Sequence, residues 1–204
     1  MCSLGYNVLD PNYRGSTGYG VNFRELIKKD GWGGKDKEDV RTGIQSLIET
    51  GIATPGKVGI FGTSYGGYMS WNAIVHFPTD IVAAAAPICG MTDLVIDYET
   101  TRPDLRPYSE EMLGGSPKDV PEIYYDRSPI NHVQNIKGAL LLIQGLRDPN
   151  VTKANVAEIE KRLDEYQIKY EKLVFDDEGH GIIREANQKV LLTHLADFFG
   201  QALK

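Results

Sequence analysis

The sequence predicts an α/β fold, a mostly parallel sheet flanked by helices on both faces. Three observations lead there. Apolar runs of strand length, at residues 57–61, 81–87, 139–144 and 170–175, alternate with longer segments of helical period, which is the order that strand–helix–strand crossovers impose on a parallel sheet. The runs at 81–87 and 139–144 are continuously apolar, as strands covered on both faces are. With 204 residues, the chain is long enough to bury about 70% of its unfolded surface, so residues 1–204 are expected to form one domain.

Taken in order, residues 6–10 read as a strand, and the chain therefore opens mid-fold. Residues 11–20 are rich in turn formers and hold Arg14 between Tyr13 and Tyr19, the composition of a surface loop. A short helix is expected over 22–29, broken by Gly31-Trp32-Gly33-Gly34. Val40, Ile44, Leu47 and Ile48 then fall on one helical face, with Asp36 expected to cap the start and Gly51 to end it. Thr54-Pro55-Gly56 turns the chain into the strand at 57–61. Beyond it, Tyr68, Trp71, Asn72 and Val75 mark a helix, and the run at 81–87 is a strand that Pro87 ends.

Residues 90–127 lose periodicity and collect tyrosines and arginines. So long a connection inside a compact domain is usually functional or disordered. It is expected to form a cap over the site, with Tyr98, Tyr108 and Tyr124 as aromatic substrate-binding candidates on composition alone. The strand at 139–144 follows, then the loop 145–149, a helix marked by Val156, Ile159, Leu163 and Tyr166, the strand at 170–175 and the loop 176–181. Val190, Leu191, Leu195, Phe198 and Phe199 define a closing helix.

The stretch Gly62-Thr63-Ser64-Tyr65-Gly66-Gly67, between a strand and a helix, has the Gly-x-Ser-x-Gly form of a nucleophile elbow. A turn this sharp strains the serine backbone and brings its neighbours too close for side chains. Gly62, Gly66 and Gly67 are expected to supply that space. The turn holds a hydroxyl above the sheet edge and aims the first N–H groups of the new helix at the same point, where an oxyanion would form.

In a parallel sheet the strand C-terminal ends share one edge, so the loops carrying Ser64, Asp148 and His180 converge there. A serine hydroxyl needs a base to take its proton as it attacks a carbonyl, and an acid to hold that base. His180, flanked by Gly179 and Gly181, is the expected base and Asp148 the expected acid. Duller readings exist: Ser64 as a strand-end cap, Asp148 as a turn former before Pro149, and Asp176 or Asp177 as acids nearer His180 in sequence. His76, His132 and His194 sit in structural contexts without metal-ligand spacing, and no metal or cofactor is expected.

Charge and composition narrow the partners. A net charge of −6 and a pI near 5.3, with both signs interspersed, argue against nucleic acid or an anionic membrane. No apolar run has transmembrane length, and residues 1–5 lack the pattern of a secretory signal. Two cysteines, Cys2 and Cys89, are too few for a disulfide framework. The expected compartment is the cytoplasm.

On Asn12-Tyr13-Arg14-Gly15-Ser16-Thr17-Gly18-Tyr19-Gly20, Gly62-Thr63-Ser64-Tyr65-Gly66-Gly67-Tyr68, Arg127-Ser128-Pro129-Ile130 and the loop 176–181, the chain resembles the catalytic domain of the prolyl oligopeptidase family, especially its acylaminoacyl-peptidase-like branch. The similarity runs almost end to end. It implies an α/β-hydrolase fold, Ser64 as nucleophile, Asp148 as acid, His180 as base and the Tyr65 backbone N–H as one oxyanion donor. It also implies short peptides, blocked amino acids, amides and esters as substrates. Relatives carry a β-propeller ahead of this domain and, upstream of the point where this chain begins, a strand ending in a His-Gly-Gly-Pro-like loop that helps build the oxyanion hole. Neither has a counterpart here. The second absence predicts a gap beside the strand at 57–61, with three outcomes: the flanking strands close up, a second chain covers the gap as in a homodimer, or the chain is a fragment of a longer product. The expected activity is hydrolysis of small esters or peptide-like amides through an acyl-enzyme. The rival is a catalytically silent remnant with a structural or dimerising role.

Overall fold

A computed structural model describes residues 1–204. Four strands, β1 (Gly59–Thr63), β2 (Ala84–Ile88), β3 (Ala139–Gly145) and β4 (Glu171–Phe175), form one sheet in the order β1-β2-β3-β4. Every pair is parallel. Eight α-helices surround it: α1 (Val21–Asp30), α2 (Lys35–Glu49), α3 (Tyr65–His76), α4 (Leu94–Thr100), α5 (Arg106–Leu113), α6 (Pro121–Arg127), α7 (Lys153–Glu165) and α8 (Glu185–Ala202). None is long and apolar enough to cross a membrane.

The period of two along the central strands sorts side chains to opposite faces. Ala85, Leu140 and Leu142 meet α2, α3 and α7 in a core with Val40, Ile44, Trp71, Ile159 and Leu163. Their neighbours Ala84, Ala86, Ile88, Leu141 and Ile143 meet α8 through Leu191, Leu195, Phe198 and Phe199. Helices therefore cover both faces, the arrangement that continuous apolar strands require.

Strand ends move where local turns compete. Ile81 and Val82 donate to the Pro78 carbonyl at 2.9 and 3.0 Å, so this turn holds the chain until β2 begins at Ala84. Pro87 lies within β2 rather than ending it. Its missing N–H coincides with a break in the β2–β3 ladder, whose register runs Ala84↔Ala139 and Ala85↔Leu140 and resumes at Ile88↔Ile143. The expected strand at 6–10 is absent from the sheet. This segment faces β1 across an apolar groove of about 540 Å³ lined by Val8, Leu9, Val58, Ile60 and Phe61, and the Asn7 side chain is tied instead to the Ile52 carbonyl at 3.0 Å. The two strands thus do not close up, and β1 stands at the sheet edge. The segment 90–127, aperiodic in sequence, is nonetheless helical. It is built of α4, α5 and α6, each too short for periodicity to register over the turns between them.

Candidate active site

Ser64 follows β1 directly, with φ of +61° and ψ of −117°, and stands at the N-cap of α3, yet its side chain makes no capping bond. The strain of a positive φ in a non-glycine residue is held by neighbours on both sides: Ser64 N–H donates to the Ile88 carbonyl at 2.9 Å, and its own carbonyl accepts from Tyr68 N–H at 2.9 Å. Glycine is needed at two flanking positions. A Cβ on Gly62 would lie 2.8 Å from the Gly66 Cα, and one on Gly67 would lie 2.5 Å from the Ile88 oxygen. Gly66 is different: a Cβ there would meet nothing within 4 Å, so the expectation that it supplies space in the same way does not hold.

His180 closes the chain of contacts. Its Nε2 lies 2.7 Å from Ser64 Oγ and its Nδ1 lies 2.8 Å from Asp148 Oδ2. The Asp148 side chain is fully shielded while that of His180 keeps 22% of its surface, so the carboxylate is dry and the imidazole opens toward solvent. Asp148 Oδ1 accepts the N–H groups of Asn150 and Val151 at 2.8 and 3.0 Å, and Oδ2 also accepts from Gln144 Nε2 at 3.3 Å. Turn former and partner of His180 are therefore one role each for its two oxygens. Asp176 and Asp177 do not bond the ring. The two loops are joined by Arg147 N–H donating to the Glu178 carbonyl at 2.9 Å. Gly145 lets them approach, since a Cβ there would sit 2.3 Å from the Gly179 oxygen.

Tyr65 is the first residue of α3, so no preceding turn of that helix accepts its N–H. This donor and Ser64 Oγ are adjacent in sequence and share the elbow. Three aromatic rings surround the Tyr65 ring: Tyr13, Trp32 and Tyr68 at centroid distances of 5.9, 5.7 and 5.5 Å. Trp32 in turn carries Tyr108 edge-on at 5.4 Å, which leaves Tyr108, 49% exposed, one ring removed from Tyr65. Tyr98 lies against Tyr124 and under the Arg106 guanidinium, with its hydroxyl bonded to Glu110. Tyr124 is fully buried, donates to the Gly115 carbonyl at 3.2 Å and offers a substrate no surface. A tyrosine in an aperiodic run does not reveal whether it faces outward, so composition misassigned it.

Four residues near the site have surroundings that escape a sequence reading. Trp32 sits in a glycine-rich breaker, and the bulk of a tryptophan among glycines was the available signal. Asp36 is not the N-cap of α2; Gly34 is, and makes no side-chain bond. Asp36 is instead fully buried, accepting from Gly33 N–H at 3.3 Å and from the Tyr65 hydroxyl. Asp97 on α4 is 6% exposed, with Oδ1 3.5 Å from Asn155 Nδ2. Burial and then the charge of Asp148 push its carboxyl up to about 7, against the pull of His180. Cys89, buried with φ of +48°, has its thiol pushed up to about 11, chiefly by burial, and stays neutral beside the Gly179 carbonyl.

The model of the prolyl oligopeptidase family matches residues 1–204. Among curated proteins, the chain is 32% identical over its full length to dipeptidyl aminopeptidase BIII of Pseudoxanthomonas mexicana, of which it covers 30%. It is 28% identical, again over its full length, to an acylamino-acid-releasing enzyme of Arabidopsis thaliana, of which it covers 27%. Among solved structures, a puromycin-hydrolyzing peptidase of Mycobacterium tuberculosis superposes with a TM-score of 0.88 at 34% identity, over 94% of this chain and 29% of that one. The chain thus spans under a third of the length of these relatives.

Proposed function

Because the chain belongs to the prolyl oligopeptidase family, an α/β-hydrolase family of serine peptidases, we propose that it hydrolyses short peptide-like amides or small esters through an acyl-enzyme on Ser64. The observation that carries this reading is the unbroken line Ser64 Oγ, His180, Asp148, at 2.7 and 2.8 Å. Asp148 accepts only when Nδ1 carries the proton, which leaves the Nε2 lone pair facing the serine hydroxyl. As Oγ attacks the substrate carbonyl, its proton passes to Nε2, and Asp148 stabilises the imidazolium. The tetrahedral oxygen, now negative, is received by the Tyr65 N–H at the helix start. The imidazolium then gives its proton to the departing amine or alcohol, and water repeats the sequence to release the acid.

The neutral Cys89 thiol takes no part. The cap formed by α4, α5 and α6 bounds the acyl side, with Tyr98 and Tyr108 as the aromatic surfaces offered to substrate. Ester and amide chemistry separate in one assay series: p-nitrophenyl acetate against an aminoacyl anilide, each with wild type and Ser64→Ala. Ser64-dependent cleavage of the anilide supports a peptidase, cleavage of the ester alone an esterase, and silence on both by folded protein refutes the proposal.

A further inference from the structure

A ring of polar contacts behind the elbow ties α3 to α2 and to the end of α6. Asp36 Oδ2 accepts the Tyr65 hydroxyl and, at 3.3 Å, Gly33 N–H. One turn further along α3, the Tyr68 hydroxyl donates to the Arg127 carbonyl at 2.8 Å, and Arg127 Nη1 returns to the Gly33 carbonyl at 2.6 Å. A side chain at Gly33 would break the ring, since a Cβ there would stand 2.3 Å from the Tyr68 hydroxyl. These contacts account for the glycine at 33 and for Arg127, neither of which touches the nucleophile or its base.

The arrangement is costly for stability alone. Asp36 is wholly buried, and its Oδ1 has no hydrogen-bonding partner, a state that normally works against the fold. Burial raises the carboxyl, opposed by the Tyr65 hydroxyl and by the backbone N–H groups of Lys37 and Gly33 at the start of α2. Its placement is explained by what it holds. Tyr65 follows Ser64, and its N–H is the oxyanion donor of the reaction proposed above. Resting on that reading, we infer that Asp36 is a positioning residue: by fixing the Tyr65 hydroxyl it fixes the Tyr65 backbone, and so aims the N–H at the developing oxyanion.

An oxyanion donor acts on the transition state more than on bound substrate, so a loosened one lowers kcat and leaves KM nearly unchanged. The test is steady-state hydrolysis of p-nitrophenyl acetate by wild type, Asp36→Leu, Asp36→Asn, Tyr65→Phe and the Asp36→Leu/Tyr65→Phe pair, with Ser64→Ala as background and thermal melting as a check on folding. Misplacement on the scale of an ångström predicts a kcat loss of about 10- to 100-fold in Asp36→Leu and in Tyr65→Phe. The double variant should be no worse than the worse single one, and Asp36→Asn, whose amide oxygen still accepts, should recover most of the rate. Wild-type kcat in a folded Asp36→Leu, or losses that multiply in the pair, would overturn the inference while leaving the hydrolase reading intact. If Asp36→Leu does not fold, Tyr65→Phe against Asp36→Asn decides, and equal wild-type rates in both overturn it. Wild-type turnover no greater than that of Ser64→Ala would remove the hydrolase reading first, and this one with it.

Discussion

Where β1 turns into α3 beside the end of β2, a Cβ added to Gly67 would meet the Ile88 carbonyl at 2.5 Å and Gly90 at 2.8 Å; on the other side of β1, Phe61 is 43% exposed beside the open groove. The same strand is therefore packed tightly where it delivers Ser64 and left unpaired where it does not. Along the tight side the polar groups are matched in loop after loop: Ser64 N–H with Ile88, Asp148 with four donors, and Arg147 N–H with Glu178. Along the open side, Val8 and Leu9 keep 53% and 42% of their surface. Precision is concentrated at the strand C-terminal ends, and the positions of Ser64, His180 and Asp148 rest on contacts that the groove side does not share.

That contrast can be broken or sharpened by substitution. The largest effect is expected at the acid. Asp148→Asn turns the ring tautomer and should lower kcat/KM by about 10⁴ with little change in melting temperature; a loss within a few fold would show that the dry carboxylate is not needed. Next comes the stability that the crowded side gives up. Asp97 ionises at about 7 in the fold, where burial and Asp148 oppose its charge, against about 4 when unfolded. The folded state then takes up more protons at this group than the unfolded one between those values, so the contribution of Asp97 to stability is fully present below about pH 4, declines as pH rises toward 7 and is lost above it. Denaturant titrations of wild type and Asp97→Asn should show this slope, up to roughly 4 kcal/mol in all, only in the wild type. Gly67→Ala should cost about 3 kcal/mol, whereas Gly66→Ala, two residues from Ser64 but facing open space, should change stability by no more than about 1 kcal/mol. On the open flank, Val8→Ser should fall within about 0.5 kcal/mol of wild type. Equal costs at Gly67 and Gly66 would erase the distinction.

The helices and strands that bear long periodic or continuous apolar patterns were legible, because burial leaves a residue-by-residue trace: α2, α7, α8 and β3 lie where Val40, Ile159, Leu195 and Leu141 put them. The meeting of Ser64, Asp148 and His180 was legible for another reason: a parallel sheet delivers three crossover loops to one edge. What stayed hidden depended on contacts between distant segments. Residues 6–10 have the composition of a strand but no hydrogen-bonding partner along β1. Tyr124 and Tyr108 look alike in sequence, yet one is buried and the other half exposed. Asp36 sits where a capping residue belongs, and only the packing of α2 against α3 sends its carboxylate to Tyr65.

The central claim is that the Ser64 hydroxyl is activated by His180. Labelling with a fluorophosphonate, followed by peptide mapping, tests it most directly. The geometry predicts stoichiometric modification of Ser64 in the folded wild type, none in Ser64→Ala and a rate lowered by about 10³ or more in His180→Ala. A folded wild type that takes no label, or a His180→Ala variant labelled at the wild-type rate, would contradict it.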